Sequence, residues 1–143
     1  MSIDLIKLKE KLKAQSDDDF DFEVADYLLT IKFEGKILNE MQRRVVSTNV
    51  LDNEVFNGGF DQFYFNNENE YIDDAIGGLS EFGANEFLEL AIKSKEIYLR
   101  DREQYTDERN LYFDPLDNKF YELDHYAQLR INYVKAHLDE IIK

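Results

Sequence analysis

The sequence predicts an all-α protein, a compact single-domain helical bundle of about six to eight helices that spans residues 1–143. Apolar residues recur at spacings of three and four through most of the chain, as on the buried face of a helix. No stretch of strict apolar and polar alternation predicts a strand. Gly, Asn and Asp-Pro separate the periodic segments, and a length of 143 residues suits one ordinary domain.

The first two predicted helices carry opposite charges. Ser2 is the expected cap of a helix over residues 3–14, in which four lysines surround a single glutamate. The acidic segment SDDDFDFE, residues 16–23, follows, and a second helix is predicted over residues 20–33. Acids at a helix start interact favourably with the helix dipole. An EF-hand calcium loop is excluded, because Phe22 and Leu28 occupy the positions that require Gly and Glu, and a looser metal site is the alternative that stays open.

The centre of the chain predicts a long helix over residues 37–56 that ends at two glycines. Gly58 and Gly59 can adopt left-handed backbone conformations at little steric cost, as residues just beyond a helix end do. The aromatic residues that follow recur at helical spacing and predict a short second helix. Either Asn66 or Asn67 is the expected cap of the next helix.

Four further helices complete the predicted fold. They are placed over residues 70–81, over residues 84–100, from Asp114-Pro115 onward, and from Tyr126 to Ile141. Gly83 separates the first two, and proline at the first helical position loses no donor that the helix needs. Residues 101–113 are polar and show no clear periodicity.

The negative charge of the chain is concentrated in two segments. The chain has 31 acids and 17 Lys and Arg, a net charge of −14. Residues 14–31 contain six acids and residues 45–92 contain ten, and neither segment contains a Lys or Arg. The rest of the chain has 15 acids against the 17 bases and is therefore close to neutral. A chain whose charge served solubility alone would be expected to scatter its acids.

One predicted helix carries its acids as a stripe. On a helix over residues 70–81 the acids share one side and the apolar residues the other. Like charges four residues apart destabilise a helix, whereas residues 84–100 pair Glu89 with Lys93 and Glu96 with Arg100 at favourable spacing. Two interpretations remain open, a solvated face that raises solubility and a surface for a basic partner. The candidate partner-binding residues are Glu68, Glu70, Asp73, Asp74 and Glu81, and second to them Asp17, Asp18, Asp19 and Asp21.

The segment EVFNGGFDQFYFN, residues 54–66, forms a motif of seven residues. They are Glu54, Asn57, Gly58, Gly59, Phe60, Gln62 and Asn66. The favoured interpretation is structural: the glycines stop one helix, a tight turn follows, and Phe60 anchors the next helix. Gln62 and Asn66 lie one turn apart and are expected to satisfy exposed backbone groups at the corner. A phosphate-binding loop is disfavoured, because acids surround the glycines.

This motif, with LSEFGA at residues 79–84 and LDNKFYEL at residues 116–123, resembles the hallmark of a family of small acidic bacterial proteins named for a DNA-mimic protein. The resemblance covers about residues 33–142; residues 1–32 lie outside it and form the N-terminal helices. It implies an all-α fold, a homodimer, and binding to a DNA-binding regulator of transcription in place of DNA. Some relatives resemble immunity proteins encoded beside toxins. Because acids do not define the family, mimicry must be argued from this chain's own charges.

The sequence offers little for catalysis or for direct nucleic-acid binding. It has no Cys, its two histidines, His125 and His137, are isolated, and it contains neither a phosphate-binding Gly-Lys-Ser/Thr motif nor a nucleophile elbow. The largest basic cluster is the four lysines of the first helix, which is small for contact with phosphates. We therefore expect no catalytic residues, metal or cofactor. With no secretory or membrane-spanning segment, a soluble cytoplasmic protein is expected.

The leading hypothesis is a protein-binding module whose carboxylates replace the phosphates of DNA in the basic groove of a DNA-binding protein. Its role would be electrostatic, and it depends on acids gathering in a patch that no cation neutralises. The first alternative is an immunity protein that blocks a toxin. The second, from another class, is a small-molecule or metal-dependent enzyme, which would require an apolar pocket with polar groups near Gln62 and Asn66.

Overall fold

Helices make up all the regular secondary structure in the part of the chain that the computed structural model describes, residues 4–104 and 108–143. The all-α prediction is confirmed. The α-helices of the described residues are α1 (Leu5–Ala14), α2 (Asp17–Phe33), α3 (Glu40–Asn67), α4 (Ile72–Phe82), α5 (Asn85–Asp101), α6 (Asp114–Glu122), α7 (Ala127–Ala136) and α8 (Leu138–Ile141). Short 3-10 helices at Arg102–Gln104 and Leu111–Phe113 lie between α5 and α6.

The first two helices begin where short polar side chains cap them. Asp4 caps α1, because its Oδ1 accepts hydrogen bonds from the backbone N–H groups of Ile6 (3.1 Å) and Lys7 (3.2 Å). The expected cap, Ser2, lies outside the described residues. Ser16 caps α2, which therefore begins at Asp17 rather than at residue 20. The earlier start places three aspartates in the first turn, where the helix dipole favours them.

Helix α3 is the centre of the molecule and packs against α2, α4, α6 and α8. It starts at a capping box, in which Asn39 Oδ1 accepts from the N–H of Gln42 (2.8 Å) and Gln42 Oε1 accepts from the N–H of Asn39 (2.9 Å). This box replaces the predicted start at residue 37. Gln42 also donates to the carbonyl of Ile141 (2.8 Å), so the helix start is tied to α8.

Aromatic side chains fill the core where α3, α5 and α6 meet. Phe120 is fully buried, and its ring centroid lies 5.2 Å from that of Phe56, 5.8 Å from Phe60 and 4.9 Å from Phe87. All three contacts are edge-to-face, the arrangement that the ring quadrupoles favour. The glycine motif, through Phe60, is thus part of the core.

The boundaries of the later helices agree only partly with the sequence. Gly83 ends α4 with a φ of +80°, and α6 begins at Asp114, as predicted. The predicted cap of α4 is wrong, because Tyr71 occupies that position without a side-chain hydrogen bond. The terminal helix is divided in two at His137. Within the described ranges no helix is long and apolar enough to span a bilayer.

Candidate functional site

The helical backbone breaks at the two glycines of the motif, so Glu40–Asn67 consists of two helical segments joined by a kink, as the sequence predicts. Gly59 has a φ of +77° and a ψ of 179°, a backbone conformation that side chains rarely adopt. A Cβ atom at Gly59 would collide with the carboxylate of Asp117, and one at Gly58 would collide with the side chain of Gln62. Both positions therefore require glycine for close approach, and Gly59 requires it for its backbone as well.

A hydrogen-bond network among side chains spans the bend. Glu54 Oε2 accepts from Gln62 Nε2 (2.9 Å) and from Asn66 Nδ2 (2.8 Å), and Asn57 Nδ2 donates to Gln62 Oε1 (3.2 Å). The expectation that Gln62 and Asn66 satisfy backbone groups is wrong, because their amides bind the Glu54 carboxylate. The enzyme interpretation needs the Gln62 and Asn66 amides to face a pocket, but these hydrogen bonds to Glu54 already engage them.

The N-terminus of the helical segment that follows Gly59 binds a carboxylate of the same chain. The buried Asp117 accepts a hydrogen bond from the backbone N–H of Phe60 (2.9 Å). Burial raises the pKa of Asp117, the bond from Phe60 lowers it in part, and the nearby Asp114 raises it further. The motif thus joins α3 to α6, and its geometry supports a structural role.

Four of the five first-ranked candidates are paired with cations: Asp73, Asp74 and Glu81 on α4, and Glu70 just before it. The four pairs are Lys32 with Glu70 (2.8 Å), Lys95 with Asp73 (2.6 Å), Arg43 with Asp74 (3.4 Å) and Arg44 with Glu81 (3.7 Å). The expectation of a stripe without neighbouring cations is therefore wrong. Residues 45–92 contain no base, but α3 and α5 pack against α4, and Arg43, Arg44 and Lys95 on them supply three of these cations. The fourth, Lys32, comes from α2.

The surface of α5 also differs from its prediction. Arg100 pairs with Asp101 (2.7 Å) rather than with Glu96. Lys93 and Glu89 form no ion pair among the described residues. Charges at helical spacing along the sequence were thus a poor guide to which carboxylates are neutralised.

The acids of α2 divide into bound and free groups. Asp17 pairs with Lys135 (3.1 Å), and Asp21 is held by Arg130. Asp18 and Asp19 are exposed and have no ion pair within the described part of the chain. The candidate Glu68, at the end of α3, is likewise exposed and unpaired there.

The outward face of α2 combines acids with an aromatic residue. Asp18, Phe22 and Asp26 lie four residues apart and so share one side of the helix. Phe22 is 69% exposed, and Asp26 is exposed without an ion pair in the described residues. These three side chains line a shallow cavity of about 260 Å³, whose far wall includes Asn49 and Asn53 of α3. Sequence analysis did not select Asp26, although it lies in the same segment without bases.

A buried arginine fixes α2 to the rest of the fold. Arg130, only 1% exposed, binds Asp21 through Nε (2.9 Å) and Nη2 (2.6 Å) and binds Asp52 through Nη1 (2.7 Å). Burial opposes the charge, but the two carboxylates overcome it and raise the pKa of Arg130. Asp52 is also buried, and its Oδ1 has no hydrogen-bond partner among the described residues. Sequence analysis missed both residues, since neither stands in a recognisable motif.

The histidines lack the geometry of a catalytic or metal site. His125 Nδ1 accepts from the N–H of Ala127 (3.0 Å), and its Nε2 lies 3.4 Å from Asp52 Oδ2. Nδ1 is therefore engaged by the backbone, and Nε2 faces the buried carboxylate of Asp52. The ring of His137 packs on Tyr133 at 4.6 Å. In residues 4–104 and 108–143, no group of three or more potential ligands could hold a metal ion.

Comparison with known proteins assigns the family. The family model described as DMP19-like protein matches residues 36–137. This acidic all-α chain belongs to the DMP19-like protein family, a family of DNA mimics that is not known to contain enzymes. No curated protein and no solved structure matches the chain. That the Asn-Gly-Gly-Phe segment is a signature of the family stays a prediction.

Proposed function

We propose that this protein is a binding module without catalytic activity that occupies the basic groove of a DNA-binding regulator in place of DNA. Membership of the DMP19-like family is the observation that carries this proposal. The net charge of −14 and the unpaired carboxylates on the surface support it. The partner is a basic protein, and nucleic acid itself is not bound.

We place the main contact on α2. Asp18, Asp19 and Asp26 are exposed and have no ion pair in the described part of the chain, whereas four of the acids near α4 are paired with cations. Asp18 and Asp26 are separated by about 12 Å along the helix axis, at about 1.5 Å per residue. DNA carries a charge every 3.4 Å or so on each strand. The carboxylates are thus sparser than phosphates, so the interaction is expected to be sensitive to salt.

Phe22 distinguishes this face from one that serves solubility alone. Its exposed ring lies between two unpaired acids and beside a cavity. An aromatic anchor surrounded by charge is typical of protein-binding surfaces, in which a few aromatic residues carry much of the binding energy. A surface selected only for solubility has no use for an exposed phenylalanine at its centre.

The test is capture of partners from a lysate of the source organism, followed by elution with duplex DNA. The variant Asp18→Asn/Asp19→Asn/Asp26→Asn is compared with Glu89→Gln/Glu96→Gln/Glu140→Gln, which removes the same charge from exposed positions elsewhere. We expect the wild type and the control variant to capture DNA-binding proteins and to release them when duplex DNA is added. The α2 variant should not capture them. Equal capture by both variants would refute the assignment to α2. Capture of an enzyme that DNA does not displace would instead support an immunity protein.

A further inference from the structure

A second surface cavity lies at the opposite end of α3 from its capping box. It has a volume of about 590 Å³ and lies between the end of α3 and the end of α5. Aromatic and charged side chains line it together, which neither the family nor the α2 face explains. The lining residues used below are Tyr64, Glu68, Tyr98, Arg102 and Glu103.

The aromatic side of the cavity is rigid. The ring of Tyr64 lies between those of Tyr98 (4.3 Å, 8° between planes) and Phe113 (5.6 Å, 16°). Its hydroxyl is hydrogen-bonded to Ser94 Oγ at 2.8 Å. Tyr64 is buried, whereas Tyr98 is partly exposed at the cavity. A stack held in this way presents an aromatic surface without further loss of side-chain freedom on binding.

The rim of the cavity carries two carboxylates and one cation. Glu68 and Glu103 are exposed and form no ion pair among the described residues. Arg102 is the only cation among the lining residues, so their net charge is negative. Glu68 ends α3 with a φ of +50°, in the region that favours glycine, so the fold keeps a carboxylate where glycine would be less strained.

We propose that this cavity binds an arginine side chain of the basic protein partner, an inference that rests on the proposed function. A planar guanidinium is attracted to the face of an aromatic ring and forms paired hydrogen bonds with a carboxylate. The partly exposed ring of Tyr98, held by its stack on Tyr64, supplies the first type of surface, and Glu68 and Glu103 supply the second. Arginine fits better than lysine, whose compact ammonium group neither stacks nor forms paired bonds.

The test uses the whole chain and a small probe, N-acetylarginine amide, titrated by amide NMR. The matched control probe is N-acetylcitrulline amide, which has nearly the same shape and no charge. We expect saturable shifts at Tyr64, Asn69 and Tyr98 with the arginine probe only. Glu68→Gln should weaken binding at least tenfold, and Arg102→Gln should strengthen it several-fold because it removes the competing cation. Glu89→Gln, on the solvent face of α5, should leave it unchanged.

The variant Glu68→Gly shows whether the Glu68 carboxylate is needed for probe binding without destabilising the fold. Glycine tolerates the positive φ, so we expect an unchanged or higher melting temperature together with loss of probe binding. Equal binding of the two probes, or full binding by Glu68→Gly, would overturn the inference. The probe requires no partner protein, so probe binding without any DNA-displaceable partner would refute the proposed function and leave the cavity assignment standing.

Discussion

At the scale of single residues, Arg130 neutralises the most deeply buried acid of the described chain. It connects Asp21 of α2 with Asp52 of α3, and itself belongs to α7. The position of the α2 face therefore depends on a charge that solvent does not reach. A buried ion pair adds little net stability over apolar packing, but removal of one partner leaves an uncompensated charge.

Replacement of Arg130 by Met should destabilise the fold by about 3–5 kcal/mol, because Asp52 would remain buried without its cation. Urea unfolding measures the change in free energy. The variant Asp21→Asn/Asp52→Asn/Arg130→Met removes the carboxylate charges as well and should recover part of the loss. A loss of under about 1 kcal/mol for the single variant would show that water reaches Asp52.

Gly59→Ala should cost more stability than Gly35→Ala. Both glycines have a positive φ, +77° and +96°, but a Cβ at Gly35 meets no atom within 4 Å, whereas one at Gly59 meets Asp117. We expect about 1 kcal/mol from backbone strain at either site and about 1–3 kcal/mol more at Gly59. Thermal or urea unfolding compares them, and equal losses would contradict the packing of the bend against α6.

The raised pKa of Asp117 gives a pH dependence of defined sign. Because burial raises its pKa in the folded state, the folded protein binds this proton more tightly than the unfolded chain does. Stability attributable to Asp117 should therefore rise as pH falls from neutral toward its unfolded pKa of about 4. The charges of Asp114 and Asp61 also raise the pKa of Asp117, and that of Arg109 lowers it.

Asp117→Asn isolates this contribution, because an amide oxygen can still accept the bond from Phe60. The free energy of unfolding is measured at pH 7 and pH 5 for both proteins. We expect the variant to gain less stability than wild type on acidification, since it has no proton to bind at this position. An equal gain in stability for wild type and variant would show that the pKa of Asp117 is the same in the folded and the unfolded chain.

At the scale of helices, α2 and α4 show which structural features a charge pattern in the sequence predicts and which it does not. Helical periodicity predicted the existence of both, and the stripe on α4 is present as a set of neighbouring acids. Its neutralisation could not be predicted, because Lys32, Arg43 and Lys95 lie far from it in sequence. Glycine and proline at helix ends act through local backbone geometry, which is why Gly83 and Asp114-Pro115 were predicted well.

Neutralising α4 should therefore have little effect on partner binding. The variant Asp73→Asn/Asp74→Asn/Glu81→Gln removes three carboxylates whose pairs are largely exposed. Each exposed pair contributes about 0–1 kcal/mol to stability, so we expect a small loss on unfolding. Capture of the DNA-binding partner should persist. If this variant stays folded but no longer captures the partner, the contact lies on the α4 stripe and not on α2.

At the scale of the whole molecule, tertiary pairing decides which acids are neutralised. Cations of α1, α2, α3, α5 and α7 pair with particular acids, and Asp18, Asp19 and Asp26 of α2 are among those without an ion pair in the described residues. The resemblance to the family was predicted from the motif around Gly58 and Gly59, and the match of the family model to residues 36–137 confirms the family, whereas the motif as its signature stays a prediction. The interaction surface could not be predicted from the sequence, because it depends on which acids have no cation beside them once the chain is folded.

The dependence of partner affinity on salt concentration shows whether the carboxylates of α2 contact a basic partner. The slope of log Kd against log salt concentration reports how many charges take part in the contact. For Asp18→Asn/Asp19→Asn/Asp26→Asn the account predicts a weaker complex and a shallower slope than for wild type. The control Glu89→Gln/Glu96→Gln/Glu140→Gln should keep the wild-type slope. Identical slopes for the two variants would contradict an electrostatic contact at α2.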